Sequence, residues 1–217
     1  MKAEFWLTKW SRNEIGFHML HPHSALVEYF TKLCSAPDAC VFVPLCGKSL
    51  DIHWLVKHTY KVVGVELSRL AVEQLFAELG IRPTIYSLSD EVVVFERANI
   101  KIFVADIFSL TPAMLGPVDI VYDRAALVAL PETMAAPYTQ HLMQITQCAD
   151  QLLVCVEYDQ ALLSGPPFAV MAQDVKRYYA PYYTLSSMDV RLAPGGIKGK
   201  VTGYEHIWFL QAHGKST

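Results

Sequence analysis

Four positions at the ends of apolar runs have residue types and spacing suited to holding a nucleoside. Gly47 lies in Leu45-Cys46-Gly47, just after the β-branched and aromatic run Val41-Phe42-Val43. Glu66 ends the run Lys61-Val62-Val63-Gly64-Val65, 19 residues after Gly47. Asp106 follows Ile100 to Ala105, and Asp123-Arg124 follows Val118 to Tyr122. In an open α/β sheet, ligands bind beyond the carboxyl ends of the strands. A glycine after the first strand lets a ligand approach the backbone. An acid at the end of the second, at this spacing, can accept both hydroxyls of a ribose. Asp106 is placed to accept from an adenine amino group. The competing reading is that Glu66 and Asp106 are solvated strand-end carboxylates, and that Asp123 and Arg124 are an ordinary ion pair.

Phosphate is poorly served by this pattern. A dinucleotide site wants G-x-G-x-x-G, so that helix N-terminal amides hold a pyrophosphate, and only Gly47 is present. Gly47-Lys48-Ser49 matches the end of a Walker sequence, but Phe42 stands where its first glycine should be. A nucleoside without phosphates fits better, S-adenosylmethionine being the natural example. Its amino-acid tail could meet the backbone from Leu45 to Gly47.

These residues need strands and helices to position them, and the chain alternates between the two periods. Val41–Val43, Lys61–Glu66, Ile100–Ala105, Val118–Tyr122 and Leu152–Val156 read as buried strands, and Tyr204–Leu210 as a closing one. Leu50, Trp54 and Leu55 recur at helical spacing. Ser68 is an N-cap for a helix carrying Val72, Leu75, Phe76 and Leu79, which Gly80 ends. Pro131 can open another helix, with Pro137 inside it as a kink or a sign of a later start. Asp174–Tyr179 reads as a short helix. The sum is a mostly parallel, doubly wound α/β sheet with helices on both faces, in one domain over residues 1–217. Residues 1–35, with Trp6, Trp10, Phe17 and His18 around Gly16, are either a helix on the sheet edge or a lid.

Composition removes other classes. Of 217 residues 53% are apolar and the net charge is −3, so neither disorder nor a nucleic-acid footprint is expected. No stretch has the ~18 uncharged apolar residues of a membrane span, and Lys2, Glu4, Lys9, Arg12 and Glu14 interrupt any signal-peptide core. Five cysteines without CxxC spacing suggest buried thiols in a reducing cytoplasm. His18, His21 and His23 form H-x₂-H-x-H but lack carboxylate or cysteine partners, so no metal site is expected.

Three blocks resemble signature sequences of the thiopurine S-methyltransferase family: Val43-Pro44-Leu45-Cys46-Gly47-Lys48-Ser49-Leu50-Asp51, Val62 to Ser68, and Tyr122-Asp123-Arg124-Ala125-Ala126-Leu127-Val128-Ala129-Leu130. Phe5-Trp6…Trp10…Gly16-Phe17-His18 and Glu157-Tyr158-Asp159 with Gly165-Pro166-Pro167-Phe168 are similar too. The resemblance runs in order from Phe5 to about Val170. It implies a seven-stranded, Rossmann-like class I methyltransferase sheet with its last strand antiparallel and a helical N-terminal lid. It implies S-adenosylmethionine as cofactor and S-adenosylhomocysteine as product, contacted by Trp10, Leu45, Gly47, Glu66 and Arg124, with Asp106 and Ile107 near the adenine. Phe17 and His18 would face the acceptor, and Arg124 would sit near the reacting sulfur as the catalytic cation. Two departures stand out. Trp6-Leu7-Thr8-Lys9-Trp10 has Thr8 where some relatives carry an acid. Only Lys198 and Lys200 stand where relatives have a late arginine. The expectation is a cytoplasmic, monomeric detoxifying enzyme. It would methylate small aromatic or heterocyclic thiols, with selenium or tellurium species as further acceptors. The alternatives are a same-fold methyltransferase for inorganic thiol or halide, and a non-catalytic S-adenosylmethionine sensor.

Overall fold

The computed structural model describes residues 3–214. The contacts within the chain group it into two units, residues 1–120 and residues 121–217, taken here in turn.

The first unit begins with helices α1 (Ala3–Ser11) and α2 (Ser24–Leu33). The first two residues of the expected 1–35 lid lie outside the described residues. Strand β1 (Cys40–Val43) then pairs in parallel with β2 (Lys61–Glu66), Cys40 opposite Lys61 and Val43 opposite Gly64. Helix α3 (Leu50–Lys57) makes the crossover, its first turn capped by the Ser49 hydroxyl, which accepts from the Asp51 amide at 3.1 Å. Helix α4 (Arg69–Glu78) starts where the sequence signals put it. Ser68 accepts from the Ala71 amide at 3.3 Å, and beyond the helix Gly80 takes the left-handed φ of +67° that its lack of a Cβ permits. Ala71, Val72, Leu75 and Phe76 are buried on one face, each large side chain contributing about 1.5–3 kcal/mol through area removed from water.

Residues 81–99, to which the sequence pattern assigned no element, form the hairpin β3 (Thr84–Ser89) and β4 (Val92–Arg97). β4 pairs antiparallel with β5 (Ile100–Val104), which pairs parallel with β2. The order within the unit is β3-β4-β5-β2-β1. This hairpin raises the strand count among the described residues to nine, against the seven expected. Short helix α5 (Pro112–Leu115) closes the unit.

The second unit opens with β6 (Ile120–Arg124), two residues later than the expected Val118–Tyr122. Asp123 is thus inside the strand and fully buried. Helix α6 (Glu132–Ile145) has Pro131 at its N-cap and includes Pro137, so it does not start later. Then come β7 (Asp150–Glu157), α7 (Ala172–Tyr179), β8 (Tyr183–Leu192) and β9 (Tyr204–Ala212). Strand β9 is antiparallel to β7, as expected for the last strand, and β8 is antiparallel to β9. The order here is β6-β7-β9-β8. Tyr138, Leu142, Leu152, Leu153, Tyr179 and Ile207 form its core.

Among the described residues, no helix is long and apolar enough to cross a membrane. The five cysteines remain as thiols; Cys34, Cys46 and Cys155 are buried, but Cys40 and Cys148 are only partly so.

Candidate functional site

The first unit gathers its candidate residues at the carboxyl ends of three adjacent parallel strands, β1, β2 and β5. The loop after β1 is held in an unusual shape. Leu45 and Gly47 both have left-handed backbone, φ +45° and +52°, a region that L side chains rarely occupy. The Cys46 amide donates to the Val65 carbonyl at 2.9 Å, which ties the loop to β2. Glycine is required at 47 for a second reason: a Cβ there would meet Trp10 Cζ2 at 3.0 Å.

Glu66 does more than end β2. Its Oε2 accepts from the Gly47 amide at 2.9 Å and its Oε1 from the Ser68 amide at 2.8 Å. One buried carboxylate thereby joins the loops after β1 and β2. Burial pushes its pKa up, while the amides of Ser68, Gly47 and Leu67 pull it back down. The two carboxylate oxygens have about four acceptor sites between them, so these amides leave capacity for a further donor. Asp106 stands one strand over, where the Ala105 amide donates to the Glu66 carbonyl at 3.1 Å. It is exposed, and its Oδ1 caps the 3₁₀ turn Ile107–Ser109 by accepting from the Phe108 amide at 3.0 Å. Ile107 is buried beside it. Glu66, buried and held by backbone donors, is no solvated strand-end carboxylate, whereas Asp106 is solvent-exposed and caps a turn.

The N-terminal segment lies over this loop. Trp10 is buried against Gly47, and its ring meets Phe17 edge-on at 5.6 Å; Trp6 also meets Phe17 edge-on at the same distance. Phe17 remains 39% exposed. His18 is half-buried and lowers the pKa of His53 through charge, beside the larger effect of burial. His21 is exposed, whereas His23 is buried as the N-cap of α2, its Nδ1 accepting from the Ala25 amide at 3.2 Å. Among the described residues no three His, Cys, Asp or Glu side chains come together to hold a metal.

Lys48, the Walker-like lysine, is paired with Glu78 at 2.7 Å. Cys46 is fully enclosed, and burial beside Glu66 raises its thiol pKa well above the ordinary value, so it is no nucleophile.

In the second unit, Asp123 accepts from the Leu127 amide at 3.1 Å and from the Tyr138 hydroxyl at 2.7 Å. Burial pushes its pKa up to about 6. The sequence reading treated Asp123 as a strand-end charge; its place among Val121, Tyr122 and Ala126 is the clue to burial. Arg124 closes β6 and is half-exposed, followed by Ala125 at φ +63°. The Gly165–Phe168 loop is pinned, with the Tyr158 hydroxyl donating to the Pro167 carbonyl at 2.6 Å and the Phe168 amide to the Val128 carbonyl at 2.6 Å. Lys198 and Lys200 are exposed on a turn whose Ile197 packs with Tyr158 and Ala193.

A family model described as thiopurine S-methyltransferase matches residues 1–198. Among similar curated proteins, a thiopurine S-methyltransferase of Xanthobacter autotrophicus is 48% identical over 212 residues, covering 97% of this chain and 99% of the relative. One of Teredinibacter turnerae is 45% identical, with 97% of each chain covered. Among solved structures, an S-adenosylmethionine-dependent methyltransferase from Anabaena variabilis superposes with a TM-score of 0.64 at 14% identity, over 97% of this chain and 95% of that one. The Burkholderia thailandensis 1,6-didemethyltoxoflavin N1-methyltransferase, solved with S-adenosylhomocysteine, gives 0.65 at 11% identity, over 96% and 87%. These likenesses at low identity establish the fold.

Proposed function

Because the chain belongs to the thiopurine S-methyltransferase family, and is therefore an S-adenosylmethionine-dependent S-methyltransferase, we propose that its acceptors are small aromatic or heterocyclic thiols. The observation that carries this reading is the partly exposed Phe17 packed edge-on against Trp10, which itself lies against Gly47. Flat apolar acceptors match such a surface.

The residues fit the cofactor. Glu66 accepts the ribose hydroxyls, Asp106 the adenine amine, and Ile107 offers apolar contact to the ring. The backbone of Leu45 and Gly47 receives the amino-acid tail, with Trp10 closing over it. A phosphate-bearing cofactor is disfavoured by the lack of G-x-G-x-x-G around Gly47 and by the engagement of Lys48 with Glu78. The bound cofactor supplies a methyl already activated on a sulfonium, so the protein's work is to position the acceptor in line and exclude water. Phe17 and His18 are assigned to the acceptor.

Arg124 is assigned to acceptor ionisation. A fixed cation favours the thiolate and lowers the thiol's effective pKa. Thiols of this class ionise near neutral pH with little help, so Thr8 in place of an acid is compatible with turnover. We further propose that the whole chain works as one catalytic domain, with residues 1–35 as its lid, in the cytoplasm as a monomer with a detoxifying role. Five cysteine thiols support the reducing compartment.

Incubating the protein with S-adenosylmethionine and 6-mercaptopurine tests the substrate class by mass spectrometry. The S-methyl product and S-adenosylhomocysteine are expected in equal amounts. Turnover on sulfide or halide but not on mercaptopurine, or cofactor binding without turnover on any of them, would overturn it.

A further inference from the structure

A second set of polar residues in residues 121–217 has no part in the proposed methyl transfer. The Ser187 hydroxyl on β8 lies 2.8 Å from His206 Nε2 on β9, and His206 Nδ1 lies 2.7 Å from Glu157 Oε1 at the end of β7. This is the arrangement of nucleophile, base and orienting carboxylate that activates a serine, recognised by geometry whatever the fold.

Three features support a role beyond filling space. The carboxylate of Glu157 fixes the Nδ1–H tautomer, so the Nε2 lone pair is the one that accepts from Ser187. The His206 ring is also held from the side, stacked on the Trp208 indole at 4.0 Å and 27°. The ladder between β8 and β9 slips by one residue between Ser187 and Asp189, a bulge of the kind that re-aims a side chain. Burial is graded in the order a reactive serine requires. The side chains of His206 and Glu157 are 7% and 18% exposed, while Ser187 sits exposed on the edge strand.

We propose that Ser187 is an activated nucleophile that takes the acyl group from small uncharged esters and passes it to water. Ser187 Oγ attacks the ester carbonyl as His206 Nε2 takes its proton. The C–O bond to the leaving alcohol breaks, and the alcohol departs with that proton. Water, deprotonated by His206, then attacks the acyl-serine, releasing the carboxylic acid and restoring the Ser187 hydroxyl. No oxidant, reductant or other co-reactant is needed.

Two measurements on the full chain test this. A fluorophosphonate should form a covalent adduct that peptide mass spectrometry places on Ser187. Hydrolysis of p-nitrophenyl acetate should fall about 100-fold in Ser187→Ala and His206→Gln, the lower end of what a positioned base contributes. It should fall at least as far in Glu157→Gln, whose amide NH2 can donate to Nδ1 and so favour the tautomer that cannot accept from Ser187. Methyl transfer, followed in the same preparations, reports on the integrity of each variant and is governed by other residues, so the two readings fail separately. An unlabelled Ser187, or wild-type hydrolysis by folded Ser187→Ala, overturns the proposal.

Discussion

Replacing Asp123 by asparagine should change how stability depends on pH. The carboxyl is wholly enclosed, and burial raises its pKa from 3.8 to about 6 against the pull of the Leu127 and Ala126 amides and the Tyr138 hydroxyl. Below both values the acid is protonated folded or unfolded, and pH has no effect through it. As pH rises, the unfolded chain ionises first, so stability falls across the window and levels off above about pH 6. Two pKa units at about 1.4 kcal/mol each amount to about 3 kcal/mol of destabilisation at neutral pH. Asparagine cannot ionise; its amide oxygen can accept from the Leu127 amide in place of Oδ1, and its NH2 group, in place of Oδ2, can donate to a turned Tyr138 hydroxyl. The advantage of Asp123→Asn over the native protein should therefore widen by about 2 kcal/mol between about pH 4.5 and about pH 7.5. Urea unfolding at a series of pH values reads this as a growing gap in midpoint at constant slope. A gap that is flat with pH, or that shrinks as pH rises, would refute the assignment of burial as the dominant influence on this acid.

Three further outcomes follow from the site. Gly47→Ala should lose about 1–2 kcal/mol from the left-handed backbone alone, and more from displacing Trp10; an unchanged urea midpoint would refute the packing described. Arg124→Ala should raise the acceptor's effective pKa by about 1–3 units, slowing turnover by at least about tenfold at low pH and recovering at high pH. A parallel pH–rate profile at wild-type rates would remove the residue from the chemistry. Deleting residues 1–20 removes Trp6, Trp10 and Phe17 together and should abolish methyl transfer, so a fully active truncation would show that the segment is no lid.

Legibility in the sequence followed burial. Strand β2 and helix α4 could be read closely because their patterns carry the physics: an unbroken apolar run for a strand covered on both faces, and Ser68 and Gly80 as chemical punctuation. Strands β3 and β8 escaped because every residue of β3 and about half of β8 face solvent, so no hydrophobic period marks them, while β4 escaped although Val92, Val94 and Phe95 are buried, its short apolar run passing straight into Glu96-Arg97. The places of Glu66 and Asp106 at strand ends were legible from spacing, but the Gly47 and Ser68 amides on Glu66 were not, since backbone donors leave no trace in residue type. His23 shows the converse, a histidine in a ligand-like cluster whose position before Ser24 makes it a helix cap. The chain Ser187–His206–Glu157 comes from three strands and has no local signature.

The proposed cofactor site turns on the buried carboxylate of Glu66 holding the ribose. Calorimetric titration of S-adenosylhomocysteine into the native protein and Glu66→Ala, each checked for folding by circular dichroism, tests it most directly. Loss of this hydrogen-bonding partner should cost about 1–3 kcal/mol, weakening binding about 5- to 150-fold. An unchanged dissociation constant in the folded variant would contradict the account.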